Sequence, residues 1–193
     1  MSIAPWRSYL ANALKKNRTH PHSRCFQLAT VRNDGLPANR TVVFRGFLKD
    51  TDKLKIITDS RSEKITEIHN QSWGEICWYF TTSREQFRIA GRIIIIDGNH
   101  QDSELQRARE SNWQELSANA RIQFAWAHPG KPRVEPEAFS PPQPDSVKPL
   151  DDFCLLLLEP VKVDHLRLRG EPQNRTFYVR DEAGVWDVTE VNP

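Results

Sequence analysis

The chain has 193 residues and a formal net charge of +2, because 27 lysines and arginines nearly balance 25 aspartates and glutamates. A chain this close to neutral has no large excess of positive charge to attract a polyanion, so we expect no nucleic-acid partner. Cys25, Cys77 and Cys154 lie far apart and lack C-x-x-C spacing, so we expect no metal site and no disulfide framework, as is typical of a cytoplasmic protein.

Nothing in the chain predicts a membrane segment. Residues 1–10 lack the apolar stretch of a signal peptide, and the longest apolar run, residues 154–158, is too short to cross a bilayer. The length fits one domain over residues 1–193.

The first hundred residues predict one helix and then a series of strands. Trp6, Leu10, Ala13 and Leu14 recur at helical spacing. Residues 24–31 and 40–47 predict antiparallel strands around a turn at 33–37. A strand at 54–58 leads into a helix at about 62–70. Strands at 73–80 and 86–97 follow, joined by a hairpin at 81–84.

The second half is more mixed. Residues 102–127 predict a helix, and residues 129–149, which hold more than half of the thirteen prolines, predict an extended loop or arm. Strands follow at 153–159, 161–168, 176–180 and 185–191. The many short strands predict an α+β, mainly β, antiparallel barrel with a few peripheral helices. The absence of βαβ units and of G-x-G-x-x-G argues against a Rossmann fold.

Two short segments combine features of an anion site. Arg40 and Arg45 stand at the two ends of an otherwise largely apolar stretch, which is costly in a buried strand unless an anion lies nearby. Residues 58–64 place hydroxyls and two cations at a helix start, with Lys64 in the first turn, which suits a phosphate. Either pattern alone is more typical of a solvated strand edge or a helix cap.

The order of four segments is more specific. They read ATVRNDGLP at 29–37, RTVVFRGF at 40–47, TDSRSEK at 58–64 and REQFRIAGR at 84–92. In this order and at this spacing they resemble the pyridoxamine 5'-phosphate oxidase family. The resemblance continues weakly at 124–127 and resumes at 174–178, Trp186 and 191–193, so it covers essentially the whole chain.

The resemblance implies an FMN-binding split barrel that forms a homodimer with flavin at the subunit interface and acts as an oxidoreductase on a small-molecule substrate. In such a site Lys64 binds the FMN phosphate, Gln86 contacts the flavin edge and Arg175 approaches the flavin. The implied cofactor-binding residues are Arg40, Thr41, Val42, Val43, Phe44, Arg45, Ile57, Thr58, Ser62, Lys64, Gln86 and Arg175. The implied substrate residues are Arg45, Trp113 and Arg121.

The chain departs from the family pattern mainly at the substrate positions. Glu63 replaces a phosphate-binding arginine, for which Arg61 is a candidate substitute. The family's R-L-H-D-R reads EPQNR at 171–175, so the arginine and histidine that hold the substrate are absent. Ser117 replaces the central arginine of the substrate helix, and Leu166 replaces a flavin-contacting tryptophan. We expect Arg121, Lys131, Arg167 and Arg169 to offer a different anion pocket.

Three functions remain open at this point. The first is oxidation of pyridoxamine or pyridoxine 5'-phosphate with oxygen. The second is an FMN-dependent reductase or oxidase of another small substrate. The third is a non-catalytic flavin- or haem-binding protein. No catalytic side chain is assigned, because flavin itself carries out hydride transfer. The arm either closes over a neighbouring subunit's site or is a passive loop.

Overall fold

A computed structural model describes residues 3–193, in which eight strands alternate with helices at the periphery. The strands are β1 Cys25–Val31, β2 Pro37–Val43, β3 Leu54–Asp59, β4 Trp73–Phe80, β5 Glu85–Ile96, β6 Phe153–Arg167, β7 Asn174–Arg180 and β8 Trp186–Val191. The α-helices are α1 Trp6–Lys16, α2 Glu63–Asn70, α3 Ser103–Gln114 and α4 Ala118–Arg121, and two 3-10 turns cover Ile122–Ala125 and Pro136–Phe139. Within this part of the chain no helix is both long and apolar enough to span a membrane.

The strands form one antiparallel sheet that closes on itself. Its order is β2-β1-β4-β5-β6-β7-β8. One edge of β6 is shared, since its first half pairs with β3 and its second half with β7. Beyond β2 the backbone turns to β3, where Arg45 N donates to Lys55 O at 2.9 Å and Lys55 N donates to Gly46 O at 2.8 Å. These bonds close a barrel from which β7 and β8 extend.

The barrel interior is filled by the alternate, inward-facing side chains of its strands. Phe26, Leu28, Ile76 and Ile89 are fully buried there. Helix α1 adds Trp6, Leu10 and Ala13, and the Trp6 ring lies 6.1 Å from that of Trp186. Burial of each large apolar side chain contributes roughly 1.5–3 kcal/mol. The predicted N-terminal helix is therefore present, and its apolar side covers one part of the core.

Strand β6 is a single strand, so the predicted break at Pro160 is wrong. Pro160 pairs with Gly91 at a register shift, where Val161 has no partner on β5. Proline has no N–H for the ladder, and a bulge is one of the few places where a strand tolerates it. Gly91 is required opposite, because a Cβ there would lie 2.0 Å from Glu159 O.

Two other predicted boundaries are also wrong. The second strand ends at Val43 rather than at residue 47, because the following residues leave β1 and hydrogen-bond to β3. The helix predicted at 102–127 ends at Gln114, and Ser117 then caps the separate helix α4 by accepting a hydrogen bond from Ala120 N. The proline-rich residues 129–149, here called the arm, form no strand and only one 3-10 turn, in agreement with the sequence.

A buried polar pair joins β5 to β6 near the end of the barrel. Glu85 Oε2 and His165 Nε2 are 2.9 Å apart, and the imidazole stacks on Phe87 at 4.1 Å. Burial alone raises the pKa of Glu85, but hydrogen bonds from His165 and Ser83 more than offset this and leave the pKa below its ordinary value. A carboxylate of this kind stabilises the fold above its unfolded-state pKa, and this stabilisation is lost as pH falls through the folded-state pKa.

We expect Glu85→Gln to lower the free energy of unfolding by about 1–3 kcal/mol at neutral pH, because a buried hydrogen bond to a charged group is lost. The deficit should shrink in acid, where the wild-type protein loses the same interaction. Urea unfolding from neutral to strongly acidic pH measures this, with the exposed Glu182→Gln as control. A constant deficit at every pH would contradict the assignment.

Candidate cofactor site

A cavity of about 480 Å³ lies between the turn that joins β3 to α2 and the arm. Thr58, Asp59, Ser62 and Lys64 line its barrel side. The other walls come from Gln123, Phe124, residues 126–134 and Phe139. The volume lies in the range of cofactor and small-molecule sites.

Lys64 is the cation on the barrel side of this cavity. Its Nζ donates to Thr58 Oγ1 at 2.9 Å and to Ser62 Oγ at 3.0 Å. Among residues 3–193 no carboxylate forms an ion pair with it. Burial and the positive charge of Arg40 lower the pKa of Lys64 below its ordinary value. A desolvated ammonium held by hydroxyls alone is costly unless an anion binds it.

The start of α2 adds backbone donors at the same place. Ser62 is the N-cap residue, yet its side chain does not cap the helix. Its hydroxyl instead donates to Asp59 O at 2.8 Å and accepts from Lys64. The first N–H groups of a helix bind anions well, because they lack intrahelical partners and lie at the positive end of the dipole. Lys64 and this helix start therefore form an anion cradle.

Arg40 holds α2 in place rather than facing the cavity. Its Nη2 lies 2.7 Å from Glu67 Oε2, and its Nη1 contacts the hydroxyl of Thr30. Glu67 is buried, and although burial raises its pKa, hydrogen bonds from Thr30 and Arg40 bring the pKa below its ordinary value. The Arg40 charge still acts on Lys64, whose pKa it lowers.

Arg61 is already engaged by other groups. Its guanidinium lies 2.7 Å from Asp59 and 3.2 Å from Asp152, and the hydrogen bonds that it donates to Asp59 raise its pKa. It also donates to the carbonyls of Phe124 and Trp126, each at 3.2 Å. Arg61 thus fixes the start of the arm against the barrel, and its charge is offset by two carboxylates.

The other residues around β2 and β3 lie on different surfaces. Val42 and Phe44 are buried in the barrel core, whereas Thr41 and Val43 are exposed. Ile57 is partly buried beside α3. Arg45 follows β2, and its Nε is buried without a hydrogen-bond partner in the described part of the chain. Burial and the neighbouring Arg24 lower the pKa of Arg45.

Gln86 and Arg175 lie on the outer face of the sheet. Both pair with Leu166 on β6, while Thr58 pairs with Cys154 on the same strand. Twelve residues of straight strand span roughly 40 Å. Neither Gln86 nor Arg175 lines the Lys64 cavity. One protomer therefore does not bring these predicted flavin contacts to the anion cradle.

The same outer face carries a row of predicted flavin contacts. Tyr79 pairs with Gln86, Gln86 with Leu166, and Leu166 with Arg175, and the register of β1 places Val43 on the continuation of this row. Arg175 is fixed there by two hydrogen bonds to Asp164, at 3.0 and 2.8 Å. Val43 and Tyr79 are 37% and 46% exposed, so the row is partly apolar.

The predicted substrate residues Trp113 and Arg121 lie beside α3 and α4. Trp113 is fully buried against Phe124 and Phe153, and its Nε1 donates to Asp145 O at 2.9 Å. Arg121 donates to Leu116 O, while its Nε is buried and lacks a partner within residues 3–193.

The four cations predicted to form a different anion pocket, Arg121, Lys131, Arg167 and Arg169, contact different elements, so one protomer does not bring them together. Arg167 lies over Tyr9 of α1 at 5.9 Å, and Arg169 donates to Thr82 O at 2.8 Å. Lys131 instead lines the Lys64 cavity. Arg133 and Trp126 line it too, and sequence reasoning did not assign them. The resemblance at 124–127 was a signal for Trp126, but the sequence held none for Arg133, because its position depends on the path of the arm.

A closed antiparallel barrel with an anion cradle beside it is the arrangement expected of an FMN-binding split barrel. Residues 3–97 match the family profile described as pyridoxamine 5'-phosphate oxidase, FMN-binding domain. The chain is 40% identical over 196 residues to an Arabidopsis thaliana protein named pyridoxine/pyridoxamine 5'-phosphate oxidase 2, covering 99% of this chain and 98% of that one. The chain belongs to this family, and FMN is its cofactor.

Solved structures agree on the fold. A pyridoxamine 5'-phosphate oxidase-related, FMN-binding protein from Nostoc punctiforme is 55% identical and covers 100% of both chains, with a TM-score of 0.97. PhzG from Burkholderia lata, solved with tetrahydrophenazine-1-carboxylic acid, is 20% identical and covers 97% of this chain and 90% of that one, with a TM-score of 0.77. At that identity PhzG supports the fold alone. The predicted split barrel is confirmed.

The residues around the cavity fit the phosphate end of FMN. Lys64 is a desolvated cation without a carboxylate partner, and the helix start offers backbone donors. Trp126 lines the same cavity with its indole Nε1 buried and unpartnered in the described residues. Orphaned buried donors are rare in folded proteins and need an explanation. A bound phosphate ester satisfies such groups.

We expect Lys64→Met to stabilise the FMN-free protein by about 1 kcal/mol while weakening FMN binding, because it removes a desolvated charge that only an anion offsets. Thermal unfolding without FMN and flavin-fluorescence titration measure the two effects. Lys49→Met, at an exposed turn, is the matched control. A variant that is less stable and binds FMN normally would contradict the role of Lys64.

Proposed function

We propose that this chain is an FMN-dependent oxidase of a small phosphorylated substrate, with pyridoxamine and pyridoxine 5'-phosphate as the first candidates. The observation that carries the proposal is that, within residues 3–193, Arg45 Nε and Arg121 Nε are each buried without a hydrogen-bond partner. The name of the full-length Arabidopsis relative supports the choice of substrate. A buried guanidinium with a free N–H favours a phosphate, which accepts several charge-assisted hydrogen bonds.

The protein's own residues bind and orient in this scheme. Bound FMN would supply the hydride acceptor for the substrate and the route for electrons to oxygen. Lys64 and the start of α2 hold the cofactor phosphate, and the arm covers that end. Arg45 and Arg121 bind the substrate phosphate. A hydroxymethyl carbon would be oxidised to an aldehyde as oxygen is reduced to hydrogen peroxide. An aminomethyl carbon would be oxidised to an imine, which water hydrolyses to the aldehyde with release of ammonia. No side-chain nucleophile takes part.

The site is proposed to be completed by a second copy of the chain. Gln86 and Arg175 lie on the outer face with the partly apolar row that contains Val43 and Tyr79. In the proposed dimer the two protomers pack so that one protomer's Gln86 and Arg175 approach the cradle of the other. Sedimentation of the FMN-loaded protein should give twice the mass of one chain. A stable monomer with bound FMN would contradict the homodimer.

A different substrate is the second candidate. The positions where the family has its substrate-holding arginine and histidine carry Glu171 and Gln173, which are exposed and not cationic. This change favours an FMN-dependent oxidase or reductase of another small molecule, in which Arg45 and Arg121 bind another anionic group.

Anaerobic addition of pyridoxamine 5'-phosphate to the yellow protein separates these candidates. The proposal predicts bleaching of the flavin and hydrogen peroxide on admission of air.

Arg45→Met should raise KM by at least about tenfold, because it removes a charged hydrogen bond to the substrate phosphate. Arg18→Met, at an exposed position, should behave as wild type. If dithionite bleaches the flavin but neither pyridoxamine 5'-phosphate nor pyridoxine 5'-phosphate does, both substrates are excluded and the second candidate is favoured.

A further inference from the structure

Glu63 occupies a position where the family pattern has a phosphate-binding arginine, and the structure shows where its side chain lies. Glu63 lines a separate surface groove together with Arg32, Asp34, Thr66 and Glu67. It is not among the residues that line the Lys64 cavity. Glu63 therefore lies outside the cavity lining, although its charge acts on Lys64, and position 63 gives the cradle no cation.

The arm brings two other cations to the same cavity. Lys131 and Arg133 line it opposite Lys64, and both are exposed in the protomer. No ion pair within residues 3–193 involves either of them. Arg133 lies over the ring of Phe139 at 5.0 Å, and Phe139 lines the cavity as well. The one acidic group of the lining, Asp59, is engaged by Arg61.

The residues just before the arm are held against the barrel, which fixes where the arm begins. Arg61 donates to the carbonyls of Phe124 and Trp126, a few residues before Lys131. Trp126 and Phe139 also contact each other, with ring centroids 5.9 Å apart across the loop between them. This ring contact brings the two ends of segment 126–139 together, and the segment carries Lys131 and Arg133 along the cavity wall.

We propose that Lys131 and Arg133 replace the missing arginine, so that the FMN phosphate is bound between Lys64 on the barrel and two cations on the arm. The inference rests on the FMN site proposed above and adds a consequence to it. The phosphate attracts the arm, so cofactor binding orders residues 131–133 over the site. Compared with the family pattern, this chain carries the positive charge on the arm and not at the start of α2.

Comparison of FMN with riboflavin isolates the phosphate contact, because the two ligands differ only in that group. We expect the double variant Lys131→Met, Arg133→Met to weaken FMN binding by at least about tenfold, as expected for lost charge-assisted hydrogen bonds. Riboflavin affinity should not change. Lys148→Met, on the same arm but beside another cavity lined by Gly98 and Arg109, is the matched control and should bind both flavins normally.

Fluorescence titration of the wild type, the double variant and the control gives distinct outcomes. Unchanged FMN affinity in the double variant overturns the inference and leaves the FMN site intact. Equal weakening for FMN and riboflavin also overturns it, because the effect then lies outside the phosphate. A wild-type protein that binds no FMN overturns the proposed site itself.

Proteolysis of the wild-type protein gives a second readout that needs no variant. Trypsin can cleave after Arg133, whereas Lys131 precedes a proline and resists it. FMN should slow cleavage after Arg133, and riboflavin should not. Cleavage at the same rate with and without FMN would contradict ordering of the arm by the phosphate.

Discussion

The site depends on one buried ion pair, that between Arg40 and Glu67. Arg40 lies on β2, Glu67 on α2 and their shared partner Thr30 on β1, so three elements meet at a single carboxylate. Helix α2 has only eight residues, and a helix that short is marginal without tertiary contacts. Ile65 and Ile68 bury its apolar side. The ion pair sets its position, and Lys64 in its first turn is thereby directed to the cavity.

That placement is costly in the protein without a ligand. Lys64 is desolvated, lies near the Arg40 charge and has only hydroxyl partners, while Arg45, Arg121 and Trp126 each keep a buried nitrogen without a partner. A fold selected for stability alone would replace or pair such groups. Trp126 lines the Lys64 cavity and Arg121 ends α4, whereas Trp6 Nε1, also buried without a partner in the described residues, lies in the barrel core. The barrel thus supports the site, and Lys64 and Trp126 are the two groups of this kind that line the cavity.

Local patterns in the sequence predicted most elements but not the contacts between distant ones. The apolar spacing of α1, the hairpins and the arm followed from residues close together in the chain. The pairing of Arg40 with Glu67 spans 27 residues and depends on closure of the barrel, so no local pattern contains it. Pro160 indicated a strand end, and only its partner Gly91 on another strand explains why β6 continues. The resemblance identified Lys64, Thr58 and Ser62 as neighbours, whereas the positions of Lys131 and Arg133 depend on an arm without regular structure.

A crystal structure of the protein reconstituted with FMN tests the central claim most directly. The account predicts the phosphate within hydrogen-bond distance of Lys64 Nζ and the N–H groups at the start of α2. It also predicts the flavin ring in contact with Gln86 and Arg175 of the second protomer. A phosphate located elsewhere, such as the separate cavity beside Trp186, or a flavin ring enclosed by one protomer alone, would contradict it.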